Sequence, residues 1–381
     1  TNARTWSPFM MKKSLFCMTA ALFALPTVTS AASPYFSLKD GDGFKRFSVS
    51  AGWLHAMPQG SGNPVNINTS VAEGTKSKVG DVSTKAVLDA IDQSKPSGQF
   101  WHSTISLLDK FTDTLPSSLA GTAEINGLSQ WEQQGSGLEA ADVDTVGLMF
   151  NYNFTDNLSL EIKGGIPPKV DINGKGNIYA PLSGKATPLK DGSVIGGIIG
   201  DGIAKAGGDI PLKQDIHITD LSQGGKAATA RAWLPAVELH YQFGKTGVNK
   251  FRPYIGAGVM YAYFNDLKMN SGIEADLIQA GHMIQNIHDN KAGAALDRKT
   301  SSANPIVKLE ATDTFAPIVT VGATYDFNPN LFAVGSVSYS KMNSEAKIYV
   351  TDQNTGKELI QANSKIDIDP LITYLGVGYR F

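Results

Sequence analysis

The sequence predicts an all-β chain, an eight-stranded antiparallel up-and-down transmembrane β-barrel with long extracellular loops that contain short helices. Three observations point there. Eight segments alternate apolar with polar or small residues at period two. The links between them alternate short and long, as in outer-membrane barrels. Finally, no run of 18 apolar residues exists outside the extreme N-terminus, charged residues are only 18% of the chain, and glycines number 39. The net charge of -2, with no basic block, argues against a nucleic-acid partner.

Residues 1–9 fit neither a signal nor a domain and read as a non-native or upstream extension. Residues 10–32 read as a signal peptide. Lys12 and Lys13 form its positive start, Ser14 to Leu25 its short apolar stretch, Pro26 the break, and small residues follow to Ala31 and Ala32. Residues 33–381 are then one barrel domain. The only cysteine, Cys17, falls in the apolar stretch, so the rest of the chain is held without disulfides.

The first segment, Phe44 to Met57, sets Phe47, Val49, Ala51 and Trp53 on one face. The second, Val143 to Phe154, does so with Val146, Leu148, Phe150, Tyr152 and Phe154. The third, Leu158 to Pro167, alternates Leu158, Leu160 and Ile162 with Ser159, Glu161 and Lys163. The fourth, Ala232 to Phe243, opposes Val237, Leu239 and Tyr241 to Glu238, His240 and Gln242. The fifth, Phe251 to Phe264, opposes Ile255, Ala257 and Val259 to Arg252, Gly256 and Gly258. The sixth, Phe315 to Phe327, opposes Val319, Val321 and Tyr325 to Thr320, Thr324 and Asp326. The seventh, Leu331 to Met342, carries Ser336, Ser338 and Ser340 on its small-residue face. The eighth, Lys365 to Phe381, opposes Leu375, Val377 and Tyr379 to Tyr374, Gly376 and Arg380.

Three links are short: Thr155–Asn157, Gly244–Lys250 and Asn328–Asn330. Four are long, at residues 58–141, 168–231, 265–313 and 343–364. Closure is required because an open edge in hydrocarbon leaves unpaired backbone groups, each costing several kcal/mol. A soluble barrel or a pair of sandwiches would show the same period. Aromatics beside the short turns favour the membrane: Phe154, Tyr241, Phe243, Phe251, Tyr325, Phe327, Tyr379 and Phe381 form one interfacial girdle.

Several stretches resemble the OmpW/AlkL family of small outer-membrane proteins. They are Arg252 to Val259, Phe154 to Leu158, Leu234-Pro-Ala236, Phe315-Ala-Pro317 and the ending Ile368 to Phe381. The resemblance covers the eight strands and is most specific over residues 231–381, while the loops look longer than the family's. It implies an eight-stranded, porin-like barrel in the outer membrane of a Gram-negative bacterium that moves small hydrophobic molecules. Tyr379 and Phe381 resemble the terminal signal read by the barrel assembly machinery. Outer-membrane lipid, lipopolysaccharide and a small hydrophobic substrate are the other expected partners.

With the apolar faces toward lipid, the lumen receives Arg46, Glu161, Lys163, Glu238, His240, Gln242, Arg252, Asp326 and Arg380. Eight strands leave room for side chains and not for a wide channel. These groups, of both signs, are expected to pair. Proline cannot donate to a ladder. Pro167, Pro168 and Pro235 flank the same long loop on neighbouring strands, while Pro317 and Pro370 lie early in theirs. All five are candidates for a lateral opening toward the outer leaflet, or simply for strand ends near loops.

The long loops carry apolar stripes. Val87, Leu88 and Ile91 suggest a short helix, followed at helical spacing by Ile105, Leu108, Phe111 and Leu115. Ile273, Leu277, Ala280, Ile284 and Ile287 form another stripe, and Val194 to Ile199 is an apolar Gly-rich run. They can pack as a cap, enclose a hydrophobic vestibule, or both. The six histidines show no metal-ligand spacing, so no cofactor or metal is expected. No motif singles out a Ser–His pair, and the chain is not expected to be an enzyme. Two function classes remain: passive uptake of small hydrophobic molecules such as alkanes or fatty-acid-like compounds, or a surface-binding or structural role as adhesin or receptor. A small ion-selective pore is a third.

Overall fold

The structure, a computed structural model, describes residues 40–41, 43–189 and 207–381. The N-terminal extension, the signal-peptide reading, Cys17 and the Val194 to Ile199 run lie outside the described residues. Eight strands form the barrel: β1 (Phe47–Pro58), β2 (Val143–Asn153), β3 (Leu158–Gly165), β4 (Ala236–Gln242), β5 (Phe251–Met269), β6 (Thr314–Asp326), β7 (Leu331–Ser340) and β8 (Pro370–Arg380). Each pairs antiparallel with its neighbours in sequence. Strand β1 closes the ring on β8, from Ser48↔Arg380 to Pro58↔Pro370.

Period two sets which face meets lipid. Val237, Leu239, Ile255, Val321 and Leu375 are 47–61% exposed, while the residues between them are buried inside. A soluble protein would not leave such a belt bare. Beside the short turns, the aromatics at i and i+2 pack edge to face. Tyr152–Phe154, Tyr241–Phe243, Tyr325–Phe327 and Tyr379–Phe381 have ring centroids 5.1–5.6 Å apart.

Asn157 ties two hairpins together. It is 2% exposed, and its Nδ2 donates to Gln242 O (2.7 Å) and Gly244 O (3.0 Å). Replacing Asn157 with Ala removes the donor to Gln242 O and leaves Gly244 O with Arg252 alone, and is expected to cost about 1–3 kcal/mol in urea unfolding from lipid vesicles.

The long links differ from expectation. They are mostly strands, with helices in the minority. The barrel sheet runs on beyond the membrane: the upper part of β5 pairs with Ala228–Trp233, which pairs with Lys169–Lys175, and that with Gly137–Ala140. A five-stranded sheet joins Pro305–Ala311, Asn343–Asp352, Glu358–Asp367, Val65–Thr69 and Gln130–Gln133. A four-stranded sheet joins Ile210–Asp220, Asn177–Thr187, Thr122–Asn126 and Thr75–Lys78. Together these form an extracellular cap.

Helices Thr84–Ala90, Pro96–Leu108 and Ser271–His288 belong to this cap. The last is capped by Asn270 Oδ1, which accepts from Gly272 N at 2.8 Å, and it buries Ile273, Leu277, Ala280, Ile284 and Ile287. Phe111 and Leu115 lie beyond the second helix, and Phe111 is exposed. Two strand bounds also shift. The expected fourth segment is broken at Leu234–Pro235, because proline cannot continue the ladder. The expected eighth begins at Pro370 rather than Lys365, because Lys365 belongs to a cap hairpin and Asp369 turns the chain with φ 42°.

Candidate functional site

Inside, the barrel has two zones. The lower zone is charged. Lys163 Nζ lies 2.6 Å from Glu238 Oε1 and 3.6 Å from Glu161 Oε1. It also donates to Thr320 Oγ1 (2.8 Å) and Ser338 Oγ (3.1 Å), reaching across the lumen. His240 Nε2 lies 3.1 Å from Glu238 Oε2 and 3.7 Å from Glu161 Oε1, and its ring stacks on Tyr254 at 4.9 Å. Only glycine fits at Gly256, where a Cβ would come within 2.3 Å of that imidazole.

Nearer the periplasm, Arg252 Nη2 meets Asp156 Oδ1 at 3.0 Å, and Arg252 Nη1 donates to Thr246 Oγ1 at 2.8 Å. Asp156 Oδ2 also accepts from Gly41 N (3.1 Å) and Thr246 N (2.8 Å), so the segment before β1 is stitched across the barrel floor. Arg380 Nη2 meets Asp326 Oδ1 at 2.8 Å, and its guanidinium lies over Phe332. Gln242 Nε2 donates to Thr324 Oγ1 at 2.7 Å. The remaining space is about 40 Å³, room for a few waters. Arg46 is a correction: it precedes β1 at the periplasmic rim, is exposed, and lies over Phe44, since the inward row starts at Ser48.

The upper zone is apolar. Ala236, Met260, Ala262, Ala316, Ile318 and Ile372 are buried, and they belong to the same apolar core as the interior of the cap. A cavity of about 80 Å³ lies above them, walled by Ala56, Val170, Leu234, Leu267 and Ile366 among others. Sequence reasoning missed this zone by treating the inward face as polar throughout. The signal was present, since the inward residues of β4, β5, β6 and β8 turn from charged or hydroxylated to Ala, Met and Ile toward the long links.

Where the zones meet, the wall is interrupted. The β3–β4 ladder runs from Leu158↔Tyr241 to Lys163↔Ala236, and the next pairing above is Lys169↔Arg231. Between them, Gly164–Pro168 faces Ala232–Pro235 with a single backbone bond among the described residues, Ala232 N to Pro168 O at 3.0 Å. Pro167 and Pro168 have no N–H to give, and Pro235 turns its peptide edge to β5 rather than to the seam. Outward from this seam both neighbours stay bonded, Ile166 N to Val146 O at 3.0 Å and Tyr261 N to Pro235 O at 2.9 Å. The other two prolines do not belong here. Pro317 sits within the β5–β6 ladder opposite Val259, and Pro370 opens β8 opposite Pro58, since in both cases the proline nitrogen needs no partner.

Among the described residues, two Ser–His contacts occur in the cap. Ser301 Oγ meets His282 Nδ1 at 2.9 Å, but that nitrogen also accepts the Ser301 amide, so it is fixed structurally. Ser70 Oγ meets His288 Nε2 at 2.8 Å, and burial holds that imidazole below its usual pKa. Among the described residues no carboxylate hydrogen-bonds either ring.

The OmpW family model matches residues 114–282, a stretch that includes β2 to β5 and both sides of the interrupted seam. No curated protein matches the chain. Solved structures to which it is similar include OprG of Pseudomonas aeruginosa, at 15% identity and TM-score 0.47, covering 88% of this chain and 96% of that one. AlkL in lipid bilayers follows at 12% identity and TM-score 0.33, covering 90% and 93%. Outer membrane protein W of E. coli has 17% identity and TM-score 0.28, covering 88% and 98%. The OmpW family match over residues 114–282 and the closed eight-stranded barrel place this chain among lipid and lipopolysaccharide in a Gram-negative outer membrane.

Proposed function

We propose that this protein passively admits small hydrophobic molecules, alkane- or fatty-acid-like, and releases them sideways into the membrane between β3 and β4. One observation carries the reading: Lys163↔Ala236 is both the last pair of the intact seam and the level at which the lumen turns from apolar to charged. A greasy chain moving down the upper zone stays in apolar surroundings, each methylene favoured by about 0.8 kcal/mol. To go further it would have to part buried ion pairs whose partners would be left uncompensated, at about 3–5 kcal/mol each. The seam at that level offers lipid instead, with few backbone bonds to yield. The stitched floor weighs against the ion-pore alternative. In the same reading Tyr379 and Phe381, exposed at the end of β8, are what the barrel assembly machinery would read during insertion.

Pro168→Val tests it. Pro168 O already accepts from Ala232 N, so a Val N–H at position 168 faces Ala232 O across the seam, and one ladder bond contributes about 0.5–1.5 kcal/mol. Opening should become about two- to tenfold rarer, and uptake of a radiolabelled alkane by cells should slow in proportion. Unchanged uptake would count against lateral release.

A further inference from the structure

The cap is not densely filled. Four cavities run in a row from the barrel mouth to its far end. The lowest, about 80 Å³, shares Leu138, Ala228, Leu309 and Ala346 with the next, about 70 Å³. That one meets a third, about 30 Å³, at Leu128 and Met283. The third meets the fourth, about 90 Å³, at Ala123, Leu212, Ala292 and Leu296. No charged side chain lines any of them. Native interiors hold few voids larger than a water, and apolar ones stay dry while accepting apolar guests. Several such voids sharing walls end to end are more than a packing defect requires. Two tryptophans stand along the row. Trp101 lines the fourth cavity with its indole N–H given to Gly207 O at 3.0 Å. Trp131 lines the second, and its buried Nε1–H has no acceptor.

Resting on the uptake reading above, we infer that the cap is itself a binding site for an elongated, unbranched apolar molecule lying through this row, with any hydrogen-bond-accepting group at the level of Trp131. The row then selects by length. Each methylene buried tightens binding about fourfold, so a chain spanning several cavities is held in preference to one that fills a single cavity.

The test uses the whole chain carrying Trp6→Phe, Trp53→Phe and Trp233→Phe in lipid nanodiscs, which leaves Trp101 and Trp131 as the only fluorophores of their kind. The probes are 1-bromohexadecane and 1-bromohexane, whose bromine quenches on contact. The expected result is saturable quenching, with 1-bromohexadecane effective at a concentration at least about tenfold lower. Adding Ala123→Leu, which narrows the junction of the third and fourth cavities, should shorten the row and shrink the advantage of 1-bromohexadecane over 1-bromohexane. Should the triple variant not fold, the unsubstituted protein serves, and Trp101→Phe must then lower its quenched fraction. Absent or unsaturable quenching, or equal potency of the two probes, overturns the cap site. If cells still need the protein to take up alkane, the lateral reading survives that loss. Saturable quenching in a protein that does not speed uptake sinks the lateral reading and leaves the cap site standing.

Discussion

Arg252→Ala is expected to destabilise the barrel by about 3–5 kcal/mol, the usual cost of removing one partner from a buried ion pair. Arg252 is 1% exposed and its partner Asp156 is 6% exposed. Its guanidinium also donates to the backbone carbonyls of Asp156 and Gly244, so truncation leaves those oxygens and a carboxylate without their cation. Asp156 keeps the amides of Gly41 and Thr246, which places the effect nearer the lower figure. Urea unfolding in lipid vesicles measures it. Arg46→Ala on the exposed rim should change stability by less than about 0.5 kcal/mol in the same assay. A loss below about 1 kcal/mol for Arg252→Ala would mean the floor is not held by this network.

Much of the barrel was legible because a strand between lipid and lumen can alternate only one way. Trp53, Phe150, Leu239 and Val321 declare the lipid face without regard to distant contacts. The charged residues at Glu161, Lys163, Glu238 and His240 were equally readable as inward, since no unpaired charge can face hydrocarbon. The cap was not legible. Its strands carry polar residues among short apolar runs, and one such as Val65–Thr69 becomes a strand only through sheet partners far along the chain, Gln130–Gln133 and Glu358–Asp367. The helix Ser271–His288 announced itself because a helix builds its apolar stripe locally. Of the five prolines, the three just after β3 and just before β4 gather at one seam only because those two strands are neighbours in space. Proline spacing alone could not separate them from Pro317, which sits unobtrusively in a paired ladder.

The second large effect concerns that seam. Extending the register past Lys163↔Ala236 sets Gly164 opposite Pro235. Adjacent antiparallel strands bring opposed Cα atoms to about 4.5–5.5 Å, within disulfide reach. A Gly164→Cys/Pro235→Cys protein should therefore cross-link under oxidation and hold the two strands together where release is proposed. Gly164 has no heavy atom closer than 4.0 Å to an added Cβ, so the new side chain there meets no clash. Uptake of a radiolabelled alkane by cells making the fully oxidised protein should fall to that of cells without it, and reductant should restore it. Uptake at the unsubstituted rate through a fully cross-linked seam would show that apolar molecules leave the barrel somewhere else.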